Sequence, residues 1–296
     1  MKSFKLFLFY LITSLLLTTY GNVYAEKLDL SSWHSEDYNF SGDQASSKWI
    51  LSNDKLTVIQ KINADPSFYL NNINQTSYEM DGSFQVKTTD DDDFIGFVFG
   101  YQNDRQFYIF DWKQLTQDVG VNGMTYEGFR ILKIDAESRK GLKLIDFWGA
   151  NTDNSTILAS NYGKDKGWED NKIYDFHLEF EPGKFTVIIF RGGTQNELWN
   201  ITVNDNSYIS GQFGFYNSSQ ANVEYSGFEQ TGGVVQASVS GCIELKDEPI
   251  RKGKAMLMQS GEIFQSVPLD ANGCYKFFHV DEDKPFGVMI RRILEK

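Results

Sequence analysis

The chain has 296 residues, 41% of them hydrophobic and 15% aromatic, and its 28 basic against 40 acidic side chains give a formal charge of -12. Such a composition can bury a core, which argues against a disordered chain. A surface this acidic, with no Lys/Arg cluster to form a local basic stripe, excludes nucleic acid as a partner and favours cations, metal ions among them.

Lys2 and Lys5 precede an apolar run from Leu6 to Leu17 and a small-residue cleavage signal at Val23-Tyr24-Ala25, so residues 1–25 read as a signal peptide. The mature chain is then secreted and extracellular, or periplasmic in a Gram-negative host. The run is shorter than the roughly 20 residues a span needs, and no Cys follows it to carry a lipid anchor; an uncleaved anchor is the alternative. No later stretch is apolar enough to cross a membrane, so no span is expected in the mature chain. Losing Lys2 and Lys5 moves the charge from -12 by two more, to -14.

Only five prolines, frequent Gly, Asn and Asp punctuation and many short alternating runs set the expectation of an all-β chain. Opening strands are expected at Asp43 to Ser52 and Leu56 to Ile62, before a break at Ala64-Asp65-Pro66. Tyr78 to Lys87 and Phe94 to Phe99 flank the acidic run Asp90-Asp91-Asp92-Asp93. Gln106 to Lys113 is aromatic on both faces, as in a strand at the middle of a sandwich. Further strands are expected at Phe129 to Ile134, Leu142 to Trp148, Ile173 to Phe180, Phe185 to Phe190, Leu198 to Val203, Gln212 to Tyr216 and Val223 to Phe228, with turns at Glu181-Pro182-Gly183-Lys184 and Arg191-Gly192-Gly193. No segment has a helical period long enough for a sure helix. About a dozen strands exceed an immunoglobulin-type domain and suit a jelly roll.

Gln230-Thr231-Gly232-Gly233 reads as a linker, dividing a main domain at 26–229 from a small β domain at 234–296. Both cysteines, Cys242 and Cys274, lie in the small domain, whose size is marginal for an unaided core, and a disulfide is the natural reading. Two free thiols are the alternative, although nothing nearby suggests a nucleophile or a redox pair.

The stretch from Asp90 through Phe94-Ile95-Gly96-Phe97-Val98-Phe99-Gly100-Tyr101-Gln102, continued by Arg105-Gln106-Phe107-Tyr108 and Trp112-Lys113-Gln114, resembles the thrombospondin C-terminal domain. Ile59-Gln60-Lys61-Ile62-Asn63-Ala64-Asp65-Pro66 and Asp81-Gly82-Ser83-Phe84 are similar upstream. Gly167-Trp168-Glu169-Asp170 and Gly211-Gln212-Phe213-Gly214-Phe215 continue it downstream, so that the resemblance covers Trp49 to Phe228. It implies a jelly-roll (concanavalin A-like, L-type-lectin-like) β-sandwich, calcium bound at its rim, an extracellular location and a role in adhesion without catalysis. The family's aspartate-rich calcium repeats do not precede residue 49, and its cysteines are missing from the sandwich. In the small domain, Leu269-Asp270-Ala271-Asn272-Gly273-Cys274-Tyr275-Lys276-Phe277 resembles the turn-and-strand of carboxypeptidase-regulatory-like or transthyretin-like modules, which implies a second, Ig-like or transthyretin-like β-sandwich. Physically it is an Asn-Gly turn leading into an aromatic strand.

Adjacent carboxylates repel by roughly 1 kcal/mol per close pair even in water, and the hard oxygens that Ca²⁺ requires are what they offer. A solvated acidic turn is the plain account of the bare run. With the resemblance, Asp90, Asp91, Asp92 and Asp93, joined by Asp65 from the strand break, become the expected calcium ligands. Asp111, inside an aromatic strand, is costly to bury unpaired, but a solvent-facing position explains it equally well. Glu79-Met80-Asp81 begins like a glucanase motif, yet the third acid expected at Ser83 is absent, so hydrolysis has no complete site. His34, His177 and His279 are scattered, without HExxH or GxSxG nearby. Trp112, Trp148 and Trp168 could offer sugar-stacking faces but suit core packing. Sequons start at Asn74, Asn154, Asn200 and Asn217. The expectation is a calcium-dependent adhesion or protein-interaction module with an extracellular protein or glycan ligand, the alternative a calcium-dependent lectin, and a glycan-active enzyme a distant third.

Overall fold

The computed structural model describes residues 26–40, 44–235, 238–245, 248–249, 253–259, 262–278, 280 and 285–292, so the expected signal peptide at 1–25 lies outside the described residues, as do Asp43 and His279. In chain order the strands are β1 (Glu26–Lys27), β2 (His34–Asp37), β3 (Trp49–Leu51), β4 (Thr57–Gln60), β5 (Ser67–Leu70), β6 (Gln75–Val86), β7 (Phe94–Asn103), β8 (Gln106–Lys113), and a small hairpin of β9 (Gln117–Asp118) and β10 (Met124–Thr125). Then come β11 (Gly128–Asp135), the short helix α1 (Leu144–Trp148), β12 (Ser155–Tyr162), β13 (Ile173–Glu181), β14 (Lys184–Arg191), β15 (Glu197–Asn204), β16 (Gln212–Ser218) and β17 (Val223–Val235). They form two antiparallel sheets. One has the order β15-β14-β13-β6-β17-β4-β3 with β1 beside β17, the other β12-β11-β8-β7-β16-β5-β2. The fold is the expected all-β sandwich.

In the first sheet the period of two puts one face inside. On β13, Tyr174, Phe176, Leu178 and Phe180 are buried while His177 and Glu179 on the alternate positions are only partly so. These rings meet the second sheet: Phe176 stacks on Phe97 at 4.6 Å, Phe99 meets Phe185 edge-on at 4.9 Å, and Phe84 meets Trp112 edge-on at 6.0 Å.

The second sheet is buried on both faces, which explains the near-continuous apolar runs of β7 and β8. Its outer face carries Phe68, Val98, Phe107, Ile109 and Leu132, and the chain's own Tyr38, Leu142, Phe147 and Trp148 cover it. Arg139 fastens this cover. Its guanidinium sits 4.4 Å from the Tyr38 ring and donates to Glu36 and to the Asp37 carbonyl.

Leu142 to Trp148 is therefore not the expected strand. The Asp146 carboxylate accepts from Lys143 N at 2.7 Å and caps the first turn of α1, and Gly149 N closes the last by donating to Ile145 O at 2.8 Å. Besides the two-residue strands β1, β9 and β10, three strands of the sandwich carried too weak a pattern to be expected: β12 is a largely half-exposed edge strand, β2 is short and polar, and β5 follows the Pro66 break with both faces buried.

Residues 230–233, expected as a linker, lie inside β17, where Gly232 is the register partner of Tyr78 and Val234 of Thr76 on β6. Beyond it are β18 (Ser238–Cys242), β19 (Glu244–Leu245), β20 (Glu248–Pro249), β21 (Gly253–Gln259), β22 (Glu262–Pro268), β23 (Cys274–Phe278) and β24 (Phe286–Arg292), with Ala255, Leu257, Leu269, Phe277 and Val280 as their buried cluster. The Asp270 carboxylate accepts from Asn272 N and Cys274 N, both at 2.8 Å, and shapes the turn that Gly273 completes at φ 74°. Cys242 and Cys274 face each other across β18 and β23 and form the expected disulfide.

Closing a loop of sequence separation 32, that bond should stabilise the C-terminal unit by about 3 to 4 kcal/mol in the chain-entropy model. All six tryptophans lie in the sandwich, so reduction should lower the stability of the C-terminal strands, read by hydrogen exchange, and leave the tryptophan-fluorescence midpoint in place. A fluorescence midpoint that falls equally on reduction would contradict this. A second expectation concerns pH. His177 Nδ1 lies 2.9 Å from Asp81 Oδ1, and this hydrogen bond raises the imidazole pKa above its ordinary value. A raised folded pKa means that the contribution is fully present below the unfolded value of about 6.5 and is lost as pH rises through the folded one. Asp81→Asn should lower the His177 pKa measured by NMR titration and flatten this part of the pH–stability curve.

Candidate metal site at the sandwich rim

The acidic run sits between the end of β6 and the start of β7, ahead of the strand. The β7–β8 register, with Ile95 opposite Trp112, brings the end of β8 alongside it. Gln114 N donates to Asp92 O at 3.1 Å, and Asp93 N donates to the buried Gln220 Oε1 at 2.9 Å. Trp168, itself buried, donates its indole N–H to Asp93 O at 3.1 Å. Gly167 lets it come so close: a Cβ there would stand 1.9 Å from Gln114 O.

With the backbone pinned in this way, the side chains of Asp91, Asp92 and Asp93 bring carboxylate oxygens within 4.8 Å of one another. Asn63 donates to Asp91 Oδ2, and Asn63 Oδ1 accepts from Ser219 Oγ at 3.1 Å. Lys113, fully buried, aims its ammonium at Asp93 Oδ1 (2.6 Å) and Asp92 Oδ1 (3.1 Å). Burial and then the Asp93 charge push the Asp91 carboxyl up to about 6. Burial also raises Asp93, against the pull of Lys113. Negative charge here exceeds what one ammonium balances.

The donors fit calcium. A Ca²⁺–oxygen contact is about 2.4 Å, so oxygens up to about 4.8 Å apart can touch one ion, and carboxylate, amide and hydroxyl oxygens are its preferred partners. Of the residues expected as ligands, the structure brings Asp91, Asp92 and Asp93 together. Asp90 is exposed and outside the cluster, and Asp65 is also outside it, with its Oδ2 accepting from Phe40 N at 3.0 Å.

Asp111, for which burial and a solvent-facing position were both open, is completely buried. Arg130 Nε lies 2.8 Å from its Oδ1 and Arg130 Nη2 lies 2.8 Å from its Oδ2, while Nη1 donates to Gly149 O at 2.7 Å and Nη2 also to Phe147 O. Burial raises the Asp111 carboxyl against the opposing pull of Arg130. From sequence nothing marked Arg130 as its partner: the two are neighbours only through the β8–β11 register.

Trp112, Trp148 and Trp168 are buried at 1%, 7% and 1% exposure, so the core-packing expectation holds for all three. Glu79 is exposed on β6, and Asp81 is engaged by His177. Asn217 is fully buried and Asn74 nearly so, whereas Asn200 is exposed.

Compared with known proteins, residues 44–232 match the family model described as the thrombospondin C-terminal region, somewhat wider than Trp49 to Phe228. Thrombospondin-2 of Gallus gallus is 29% identical over 191 residues, covering 62% of this chain and 16% of its own length. Cartilage oligomeric matrix protein of Homo sapiens is 26% identical over 188 residues, covering 61% of this chain and 25% of its own. This chain thus corresponds to a minor part of those relatives. Among solved structures, the carbohydrate-binding module CBM66 from Bacillus subtilis superposes with a TM-score of 0.44 at 11% identity, covering 68% of this chain and 96% of that one. The VIP36 exoplasmic/lumenal domain in its Ca²⁺/Man3GlcNAc-bound form gives 0.43 at 12% identity, covering 70% and 86%.

Arg130→Met strands the Asp111 charge in the core and should cost about 3 to 5 kcal/mol, while Arg130→Met with Asp111→Leu, removing both charges, should recover most of that loss. Urea unfolding followed by tryptophan fluorescence measures both. Equal losses for the single and double variants would show that the pair does not act as a unit.

Proposed function

The chain belongs to the thrombospondin C-terminal family, and from that premise we propose that its sandwich is a calcium-binding adhesion and protein-interaction module acting outside the cytoplasm. The observation that carries the reading is the rim loop, where Asp91, Asp92 and Asp93 converge with a charge that Lys113 only partly offsets. These three residues would hold the ion, with Asn63 and Ser219 beside them. Bound there, calcium supplies positive charge and oxygen coordination that fix the loop between β6 and β7. The protein's own residues do the rest: Trp168 and Gln220 hold the Asp93 backbone, and Gln114 holds that of Asp92.

The partner class favoured is an extracellular protein. The outer face of the second sheet is covered by the chain's own Tyr38, Phe147 and Trp148, so that face presents no open tryptophan platform for a sugar. A non-enzymatic role accords with the fate of the glucanase-like acids, since Asp81 is committed to His177 and Glu79 stands on an open sheet surface. Secretion is supported by the sequence of residues 1–25. Among the described residues, no helix is long and apolar enough to cross a membrane.

Calcium that binds only the folded state stabilises it by RT ln(1 + [Ca²⁺]/Kd), about 2.7 kcal/mol at a hundredfold excess over Kd. Thermal unfolding in millimolar calcium should therefore lie above that in EDTA, and Asp91→Asn with Asp93→Asn should remove the difference. Coincident midpoints for the unaltered protein in the two conditions would refute the calcium reading.

A further inference from the structure

Two of the three rim carboxylates already share a cation. Lys113 Nζ lies 2.6 Å from Asp93 Oδ1, 3.1 Å from Asp92 Oδ1 and 3.2 Å from Asp92 O. Its side chain is 0% exposed, and the ammonium stands 5.4 Å from the centre of the Phe94 ring and 6.0 Å from that of Trp148. A lysine rooted at the end of a central strand and enclosed in this way is a fixed part of the site rather than a surface charge swung in from solvent. Three carboxylates and one ammonium leave a net charge of minus two, which a single divalent ion cancels. A monovalent ion leaves the site under-neutralised and a trivalent one overfills it.

Building on the calcium reading above, we infer that Lys113 is a specificity-determining residue of the rim, a built-in counter-ion that sets the site for divalent cations and limits how tightly they bind. Coulomb repulsion from the ammonium scales with the charge of the incoming ion, so it acts one and a half times as strongly on a trivalent as on a divalent ion. Lys113 also holds one oxygen each of Asp92 and Asp93, beside Asp91, whose Oδ1 accepts from Asp92 N at 3.0 Å. It contributes no ligand atom itself and works through the carboxylates it holds.

The experiment is a titration of the full chain with Ca²⁺ by calorimetry and with Tb³⁺ by luminescence, on the unaltered protein, Lys113→Met and Lys113→Gln. Circular dichroism checks each fold. Removing the ammonium should tighten Ca²⁺ by about tenfold and Tb³⁺ by a clearly larger factor, a change in ion preference that a merely structural lysine would not produce. Lys113→Gln, which removes the charge but keeps a polar head for Asp92 and Asp93, should produce the same two changes, so that they follow the charge and not the packing of the side chain. Unchanged or weaker Ca²⁺ binding in Lys113→Met, or an unchanged ratio of the two ions, overturns the inference while the calcium reading stands. Should Lys113→Met fail to fold, Lys113→Gln decides, and unchanged Ca²⁺ binding or an unchanged ratio of the two ions in it likewise overturns the role. No metal binding by the unaltered protein overturns the calcium reading and this inference together.

Discussion

The buried pair of Arg130 and Asp111 is the interaction on which the arrangement of the rim depends. A guanidinium and a carboxylate removed from water carry a large desolvation cost, and only a complete set of partners offsets it. Here the carboxylate takes two guanidinium nitrogens, and the remaining donors go to the carbonyls of Phe147, Trp148 and Gly149. The pair thereby fastens the end of α1 to the middle of the second sheet. That fixes Trp148, whose indole donates to Ser218 at 2.9 Å and whose ring, with Phe94, walls in Lys113. The electrostatics of the acidic loop are thus set from the core outward.

Much of the fold was legible because strands announce themselves locally. Alternation in β13 and the doubly apolar runs of β7 and β8 follow from which faces are buried, and the Asn-Gly turn before Cys274 follows from its backbone conformation. What escaped depends on distant parts of the chain. The stretch at α1 has the apolar content of a strand, and only the Asp146 cap and the apolar face beneath it make it a helix. Asp111 could be placed on either face by its neighbours alone; its burial is decided by an arginine that register, not sequence distance, brings opposite. The site shows the same division. The expected set of Asp65 and Asp90 to Asp93 contained the three that converge, Asp91, Asp92 and Asp93, and two that do not, whereas Lys113, Asn63 and Ser219 are delivered by three separate segments of the chain.

Covering one sheet face with the chain's own side chains has a functional side. A face that is filled in this way cannot receive a ligand, which leaves the open face of the first sheet and the rims and loops, where backbone is exposed and polar. The acidic loop lies on such a rim, and its order and charge decide what that edge presents to solvent. Metal binding there would act on interaction through geometry as well as through charge.

The pairing of Glu26 with Gln230 and of Lys27 with Glu229 sets the two ends of the sandwich side by side. The chain enters at β1 and departs along the last residues of β17, at the same corner of the same sheet. A pull between Glu26 and Val235 would act at one end of neighbouring antiparallel strands, so the hydrogen bonds of β1 would break one after another instead of in shear.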